Sequence, residues 1–223
     1  MSFKVIKENI LKANDDVAMQ TRFILGKKKT LMVNIISSPG AGKTSLLEKV
    51  GPRLKEEGIP FIVITGDCFT TRDAERMDVL DIPAVQINTG NACHIDAALV
   101  GKALEGTDIE ALDLIIVENV GNLVCPAEFD VGEDLKIGLF STAEGADKPM
   151  KYPLLVKESE LAIINKMDLI EYVDFDLEFC VKCINDVNPA LNILKISCKT
   201  GEGIDGFIDW IKDKIKEKKE KQA

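Results

Sequence analysis

The stretch Ser37-Ser38-Pro39-Gly40-Ala41-Gly42-Lys43-Thr44 constrains this chain more than any other. It follows the apolar run Leu31-Met32-Val33-Asn34-Ile35-Ile36 and leads into the helical pattern Ser45-Leu46-Leu47-Glu48-Lys49-Val50. Strand, loop and helix thus come in the order that a phosphate cradle requires, and the stretch reads as a Walker A P-loop. In such a loop the amide N–H groups and the positive end of the helix dipole converge on phosphate. Lys43 adds a point charge, and Thr44 offers its hydroxyl to Mg²⁺. Pro39, Gly40, Ala41, Gly42 and Ser45 complete the candidate phosphate-contacting set. Ser37 stands where G-x-x-x-x-G-K-S/T has its first glycine, so the position must keep a negative φ.

The rest of the chain supplies a sheet for that loop. Buried-strand runs are expected at 61–65, 82–88, 112–117, 135–140, 161–164 and 193–196, and helices at 95–104, 175–186 and 204–219. Apolar positions at helical spacing over about 2–25 predict an amphipathic N-terminal helix, which Gly26 and Lys27-Lys28-Lys29 should stop with cations at its negative end. Gly51 and Pro52 are expected to close the helix after the P-loop. The alternation means an α/β fold with a mainly parallel sheet flanked by helices, binding its ligand at the carboxyl ends of the strands. A length of 223 residues suits one domain spanning 1–223. A net charge of −9 argues against a nucleic-acid partner. No stretch is apolar for long enough to span a bilayer, and the N-terminus lacks a signal-like apolar core, so a cytoplasmic protein is expected.

Asn165-Lys166-Met167-Asp168 follows Leu161-Ala162-Ile163-Ile164 and so falls at a strand end. This is the N-K-x-D of GTPases. A carboxylate at Asp168 accepts from both the ring N–H and the exocyclic amine of guanine, a donor pair that adenine lacks on that edge, while Lys166 lies over the base. A ligand without those donors would leave a buried acceptor unpaired, which is the basis of strong rejection. Ser197-Cys198-Lys199 matches the S-A-K base-contact element with one substitution. Glu118-Asn119-Val120-Gly121 lies where many GTPases carry D-x-x-G, so Gly121 is a candidate γ-phosphate contact. Asp67, Asp73 and Glu118 are candidates for holding Mg²⁺ or orienting the attacking water, with Thr70-Thr71-Arg72-Asp73 in the expected first switch loop.

Cys93-His94 and Cys125 bring soft thiolates and the only histidine of the chain, donors suited to Zn²⁺ or Ni²⁺ and one short of a closed tetrahedral set. Six cysteines in a chain of this class do not read as a disulfide framework. Cys180 and Cys183 fall on one side of a helical pattern and are expected in the core.

Taken together, the P-loop, Gly66-Asp67, Asp73-Ala74-Glu75-Arg76, Gln86-Ile87-Asn88-Thr89-Gly90, Cys93-His94-Ile95-Asp96-Ala97, the run Glu118 to Pro126 and Asn165-Lys166-Met167-Asp168 resemble the hydrogenase nickel-incorporation GTPases, the HypB family. The resemblance covers about residues 3–215. It implies a SIMIBI-type G domain that binds GTP, GDP and Mg²⁺, forms a homodimer, and works with a nickel accessory protein and a hydrogenase large subunit. It places Cys93, His94 and Cys125 on the family's G-domain metal site. The cysteine-rich and histidine-rich terminal motifs of some members are not in the sequence, so storage of nickel is not implied. Two rival readings remain: the related urease accessory GTPase, and a regulatory GTP-binding module with a structural zinc.

Overall fold

In a computed structural model, residues 3–67 and 72–221 are described, with side chains from residue 11 onward except at 72 and 74. Seven strands form one parallel sheet: β1 (Leu31–Ser37), β2 (Phe61–Asp67), β3 (Ala84–Asn88), β4 (Leu114–Glu118), β5 (Leu135–Ser141), β6 (Ser159–Asn165) and β7 (Asn192–Lys195). Their order is β3-β2-β4-β1-β5-β6-β7. Because β1 pairs with β4 on one side and β5 on the other, the loop leaving β1 lies between the loops leaving those two strands. That crevice is where an open α/β sheet binds its ligand.

The period of two in β1 sets the two layers. Leu31, Val33 and Ile35 join Leu46, Leu47, Val50 and Leu54 of α2 (Lys43–Glu56) in one core. Phe207, Ile211 and Ile215 of the last helix, which spans Ile204–Glu220, complete that layer. On the opposite face Met32 packs with Leu25 of α1 (Phe3–Lys28) and Ile95, while Ile36 packs with Phe140, Leu155 and Ile184. Asn34, fully buried on that same face, is the polar exception in β1.

The expected elements are present with shifted ends. The helix expected over 95–104 is α4 (Ala97–Ala103), following α3 (Arg72–Val79), and Asp96 caps it by accepting from Leu99 N at 2.8 Å. Three short helices follow: α5 (Cys125–Glu128), α6 (Lys148–Lys151) and α7 (Pro153–Glu158). The helix expected over 175–186 is α8 (Leu177–Val187), which buries Cys180 and Cys183 as anticipated. The last helix is α9.

Two expectations fail. Gly51 and Pro52 do not end α2, which continues to Glu56: Val50, Gly51 and Leu54 are buried, and a Cβ on Gly51 would come within 2.4 Å of Ile82 Cδ1, so glycine there serves packing. Helix α1 likewise runs through Gly26 to Lys28, and the chain turns at Lys29 with φ 60°.

Candidate functional site

Ser37 ends β1 with a negative φ, and Gly40 and Gly42 take the left-handed conformations (φ 74° and 108°) that curl the loop into the first turn of α2. Only glycine meets the second demand cheaply, since a Cβ on Gly42 would also lie 2.4 Å from Asn165 Nδ2. Lys43 Nζ donates to Ser37 Oγ at 3.0 Å, so the serine in place of the first motif glycine holds the lysine head inside the loop. Burial pulls the Lys43 pKa below its ordinary value, against the opposing pull of Glu118 and Asp73.

Thr44 Oγ1 donates to Glu118 Oε1 at 2.7 Å. The second oxygen of Glu118 is buried with no hydrogen-bond partner among the described residues. Burial raises this carboxyl to about 7, although Lys43 and Thr44 both favour its charged form. A cavity of about 480 Å³ joins Lys43, Thr44, Asp67, Asp73, Glu118 and Gly121. All three acidic candidates therefore line one space, and Glu118 is the one in contact with Thr44. Such an oxygen pair, a hydroxyl and carboxylates facing a phosphate-binding loop, suits a hard divalent cation.

The expected first switch loop is corrected in part. Thr70 and Thr71 lie outside the described residues, whereas Asp73 sits in the first turn of α3, where acidic side chains favour the helix dipole. Arg76, assigned no role from its sequence position, donates to both oxygens of Glu48 at 2.7 and 2.8 Å, reaches Ser45 Oγ at 3.1 Å and lies 3.5 Å from Asp73.

The Glu118 carboxyl gives a stability prediction. The folded chain holds its proton to about pH 7, while the ordinary value is 4.5. Between those values the folded state binds more protons than the unfolded one, so this group's contribution to stability is lost as pH rises through the window. Urea melts from pH 4 to 8 should show that decline in the nucleotide-free protein and a flatter profile in Glu118→Gln. Parallel profiles would mean that the carboxyl ionises normally.

On the other side of the P-loop, Asn165 Nδ2 donates to Ala41 O at 2.9 Å, and its Oδ1 accepts from Lys166 N at 2.7 Å and Cys198 N at 3.2 Å. Lys166, at φ 63°, extends to Gly40 O at 2.8 Å. Ser197 Oγ donates to Asp168 Oδ1 at 2.6 Å and accepts from Thr200 N at 3.1 Å, which fixes the carboxylate. A second cavity of about 360 Å³ is lined by Gly42, Asn165, Lys166, Asp168, Cys198 and Lys199. The six base-site candidates from two distant stretches thus meet beside the P-loop.

The third constellation also assembles. One ligand atom from each of Cys93, His94 and Cys125 lies within 4.8 Å of the others, with the two Sγ atoms 3.0 Å apart. His94 packs on Phe129 with ring centroids 3.9 Å apart and the planes tilted by 35°, and burial lowers its pKa, favouring the neutral imidazole that binds metal. Cys93 is raised, first by its hydrogen bond to Cys125 and then by burial. Three such donors at a partly exposed surface fit Zn²⁺ or Ni²⁺, and among the described residues they are one short of a closed tetrahedral set. Gly121 lies between this cluster and the P-loop, where an added Cβ would be 2.9 Å from Pro39 Cα.

A parallel sheet with a P-loop at its switch point and a base pocket beside it defines a P-loop nucleotide-binding domain. The nucleotide-binding domain model of the CobW/HypB/UreG family matches residues 31–195. Over 206 residues the chain is 41% identical to the hydrogenase maturation factor HypB of Escherichia coli strain K12, covering 92% of this chain and 71% of that one. It is 39% identical to the probable hydrogenase maturation factor HypB of Methanocaldococcus jannaschii, covering 96% of each. The crystal structure of HypB from Helicobacter pylori in complex with nickel superposes with a TM-score of 0.86 at 34% identity, covering 92% of this chain and 96% of that one. The chain belongs to the HypB family of hydrogenase maturation factors. The SIMIBI-type fold expected from the sequence holds with it. Among the described residues no helix is long and apolar enough to cross a membrane.

Proposed function

We propose that this protein is a GTP-hydrolysing metallochaperone that assists nickel insertion into NiFe-hydrogenase, with dimerisation and metal binding linked to the nucleotide. The observation that carries the reading is the position of the loop from Glu118 to Cys125. Its first residue touches Thr44, Gly121 lies against Pro39, and its last residue belongs to the Cys93, His94 and Cys125 cluster. A displacement sensed at the phosphate end is thereby delivered to a metal ligand within the same segment.

In this mechanism Asp168 selects guanine and Lys166 covers the base, while Asn165, Ser197, Cys198 and Lys199 hold that pocket in shape. The amides of Gly40, Ala41, Gly42, Lys43, Thr44 and Ser45 surround the phosphates, and the Lys43 ammonium stabilises charge developing on the β- and γ-phosphates as water attacks. Thr44 and Glu118, with Asp67 and Asp73 across the same cavity, would hold Mg²⁺, which when bound neutralises phosphate charge. Gly121 offers its amide to the γ-phosphate. Two subunits, each short of a full ligand set, complete the coordination of the cargo metal at a twofold interface. The remaining partners in this reading are a nickel accessory protein and the hydrogenase large subunit, and the whole chain acts as one G domain with α1 as part of it.

Lys43→Ala tests the hydrolytic reading. GTP turnover should fall by about 10²-fold or more, the cost of removing one preorganised charge donor from a transition state. Circular dichroism and the thermal midpoint should stay close to wild type, because the substitution empties a loop rather than the core. Turnover at the wild-type rate would place the chemistry elsewhere.

A further inference from the structure

Asn119 is fully buried immediately after Glu118, and both ends of its carboxamide are used. Oδ1 accepts from its neighbour Val120 N at 3.0 Å and, across 24 residues of chain, from Ile95 N at 3.1 Å. Nδ2 donates to Asn34 Oδ1 at 3.2 Å, and Asn34 Nδ2 in turn donates to Glu133 Oε1 at 3.3 Å, which accounts for the polar residue inside β1. Ile95 follows the metal-cluster residue His94 directly, and its side chain is fully buried against Gly66, where an added Cβ would lie 2.5 Å from Ile95 Cδ1.

Three residues further on, Asn122 repeats the arrangement at the surface. Its Nδ2 donates to Cys93 O at 3.1 Å and its Oδ1 accepts from Val124 N at 2.9 Å, beside Cys125. The two asparagines therefore flank Gly121, and each joins the loop of Glu118 to Cys125 to the loop of Cys93 to Ile95. A side chain needed only to shape its own turn would stop at Val120 N or Val124 N. The bonds to Ile95 N and Cys93 O reach a different segment, and an apolar replacement at 119 would leave buried N–H groups unpaired.

We infer that Asn119 and Asn122 are positioning residues that make the two metal-bearing loops move as one body with the turn at Gly121, so that nucleotide state sets the geometry of Cys93, His94 and Cys125. The inference rests on the proposed nucleotide-linked metal binding and names the side chains that carry the link. The two thiolates come from different loops; without the struts the turn would displace Cys125 alone and leave Cys93 and His94 to follow independently.

The test titrates Co²⁺ and Ni²⁺ into wild type, Asn119→Ala and Asn122→Asp, each loaded with GDP or a non-hydrolysable GTP analogue, and follows the thiolate-to-metal charge-transfer band. Asn122→Asp keeps the acceptor for Val124 N, so it leaves the local turn in place, and removes the donation to the Cys93 backbone and thiol. The negative charge it adds beside Cys93 acts on metal in both nucleotide states alike, so the ratio between the states is the quantity read. Wild type should show metal affinities that differ about 5-fold or more between the two nucleotide states, the lower end of typical couplings. In both variants the ratio should fall towards one, with metal stoichiometry and GDP affinity retained. A nucleotide-dependent ratio that survives in the variants overturns the inference and leaves the proposed function standing. A ratio of one in wild type overturns both. Loss of metal in both nucleotide states of Asn122→Asp also overturns the inference, since the residue would then build the site rather than couple it. Should Asn119→Ala fail to fold, the surface variant at 122 decides.

Discussion

Asp168→Asn should reduce the affinity for GTP by about 10³-fold or more and raise that for xanthosine triphosphate. A site built to hydrogen-bond its ligand typically rejects a mismatched one by 10⁴ to 10⁵, and the variant turns the natural ligand into the mismatch. Ser197 Oγ already occupies Asp168 Oδ1, so the carboxylate is held in one orientation with little freedom to adapt. In the variant the amide N–H₂ replaces one acceptor, opposes a guanine donor and suits the extra carbonyl of xanthine. Competition against a fluorescent guanine nucleotide reads the change directly. If wild type binds ATP as tightly as GTP, the pocket beside Gly42 and Lys49 is not a guanine site.

The second large effect concerns the metal. Cys93→Ala should lower Ni²⁺ or Zn²⁺ affinity by about 100-fold or more, exceeding the 10- to 100-fold losses seen when only a partner of a ligand is removed. The wild-type affinity should fall steeply with decreasing pH, by about 100-fold per unit, because two thiols must each release a proton. The raised pKa of Cys93 extends that dependence beyond the ordinary thiol range, whereas His94, lowered by burial, adds no proton of its own at neutral pH. Equilibrium dialysis from pH 6 to 9 measures both, and light scattering in the same samples follows the proposed dimer. Unchanged stoichiometry and affinity in Cys93→Ala would remove this cluster as the site.

Much of this was legible in the residues because the relevant groups act through local order. A strand, a glycine turn and a helix in succession define the P-loop, and Asn165 to Asp168 at a strand end imply the base pocket without knowledge of the sheet order. Cys93, His94 and Cys125 could be grouped from chemistry and the family resemblance, but only the fold brings residue 125 back beside residue 93. Other features were hidden for identifiable reasons. Pro52 looks like a helix stop, yet tertiary burial of Val50 and Leu54 carries α2 past it. Helices α5 to α7 are of four to six residues with proline near their starts, too short to show a period. Which of Asp67, Asp73 and Glu118 meets Thr44 depends on the β1–β4 pairing, and Arg76 finds Glu48 only through the packing of α3 on α2. Asn119 and Asn122 stand within the family run, but their partners at 93 and 95 are set by the sheet.

The bond from Asn165 to Ala41 has a consequence for how the molecule divides mechanically. It ties the base-side pocket to the phosphate-binding loop through one short side chain, whose carboxamide fills the space that a Cβ on Gly42 would need. The segments leaving β1, β6 and β7 are thus joined to one another by side-chain hydrogen bonds through Asn165. Asp67, α3 and the turn at Gly121 hang instead from β2 and β4, on the other side of β1, and face Lys43 and Thr44 across the first cavity. Cys93, His94 and Cys125 all belong to that second side. In the proposed function the base-side pocket is the fixed fulcrum, and the sulfur and imidazole ligands ride at the far end of the lever.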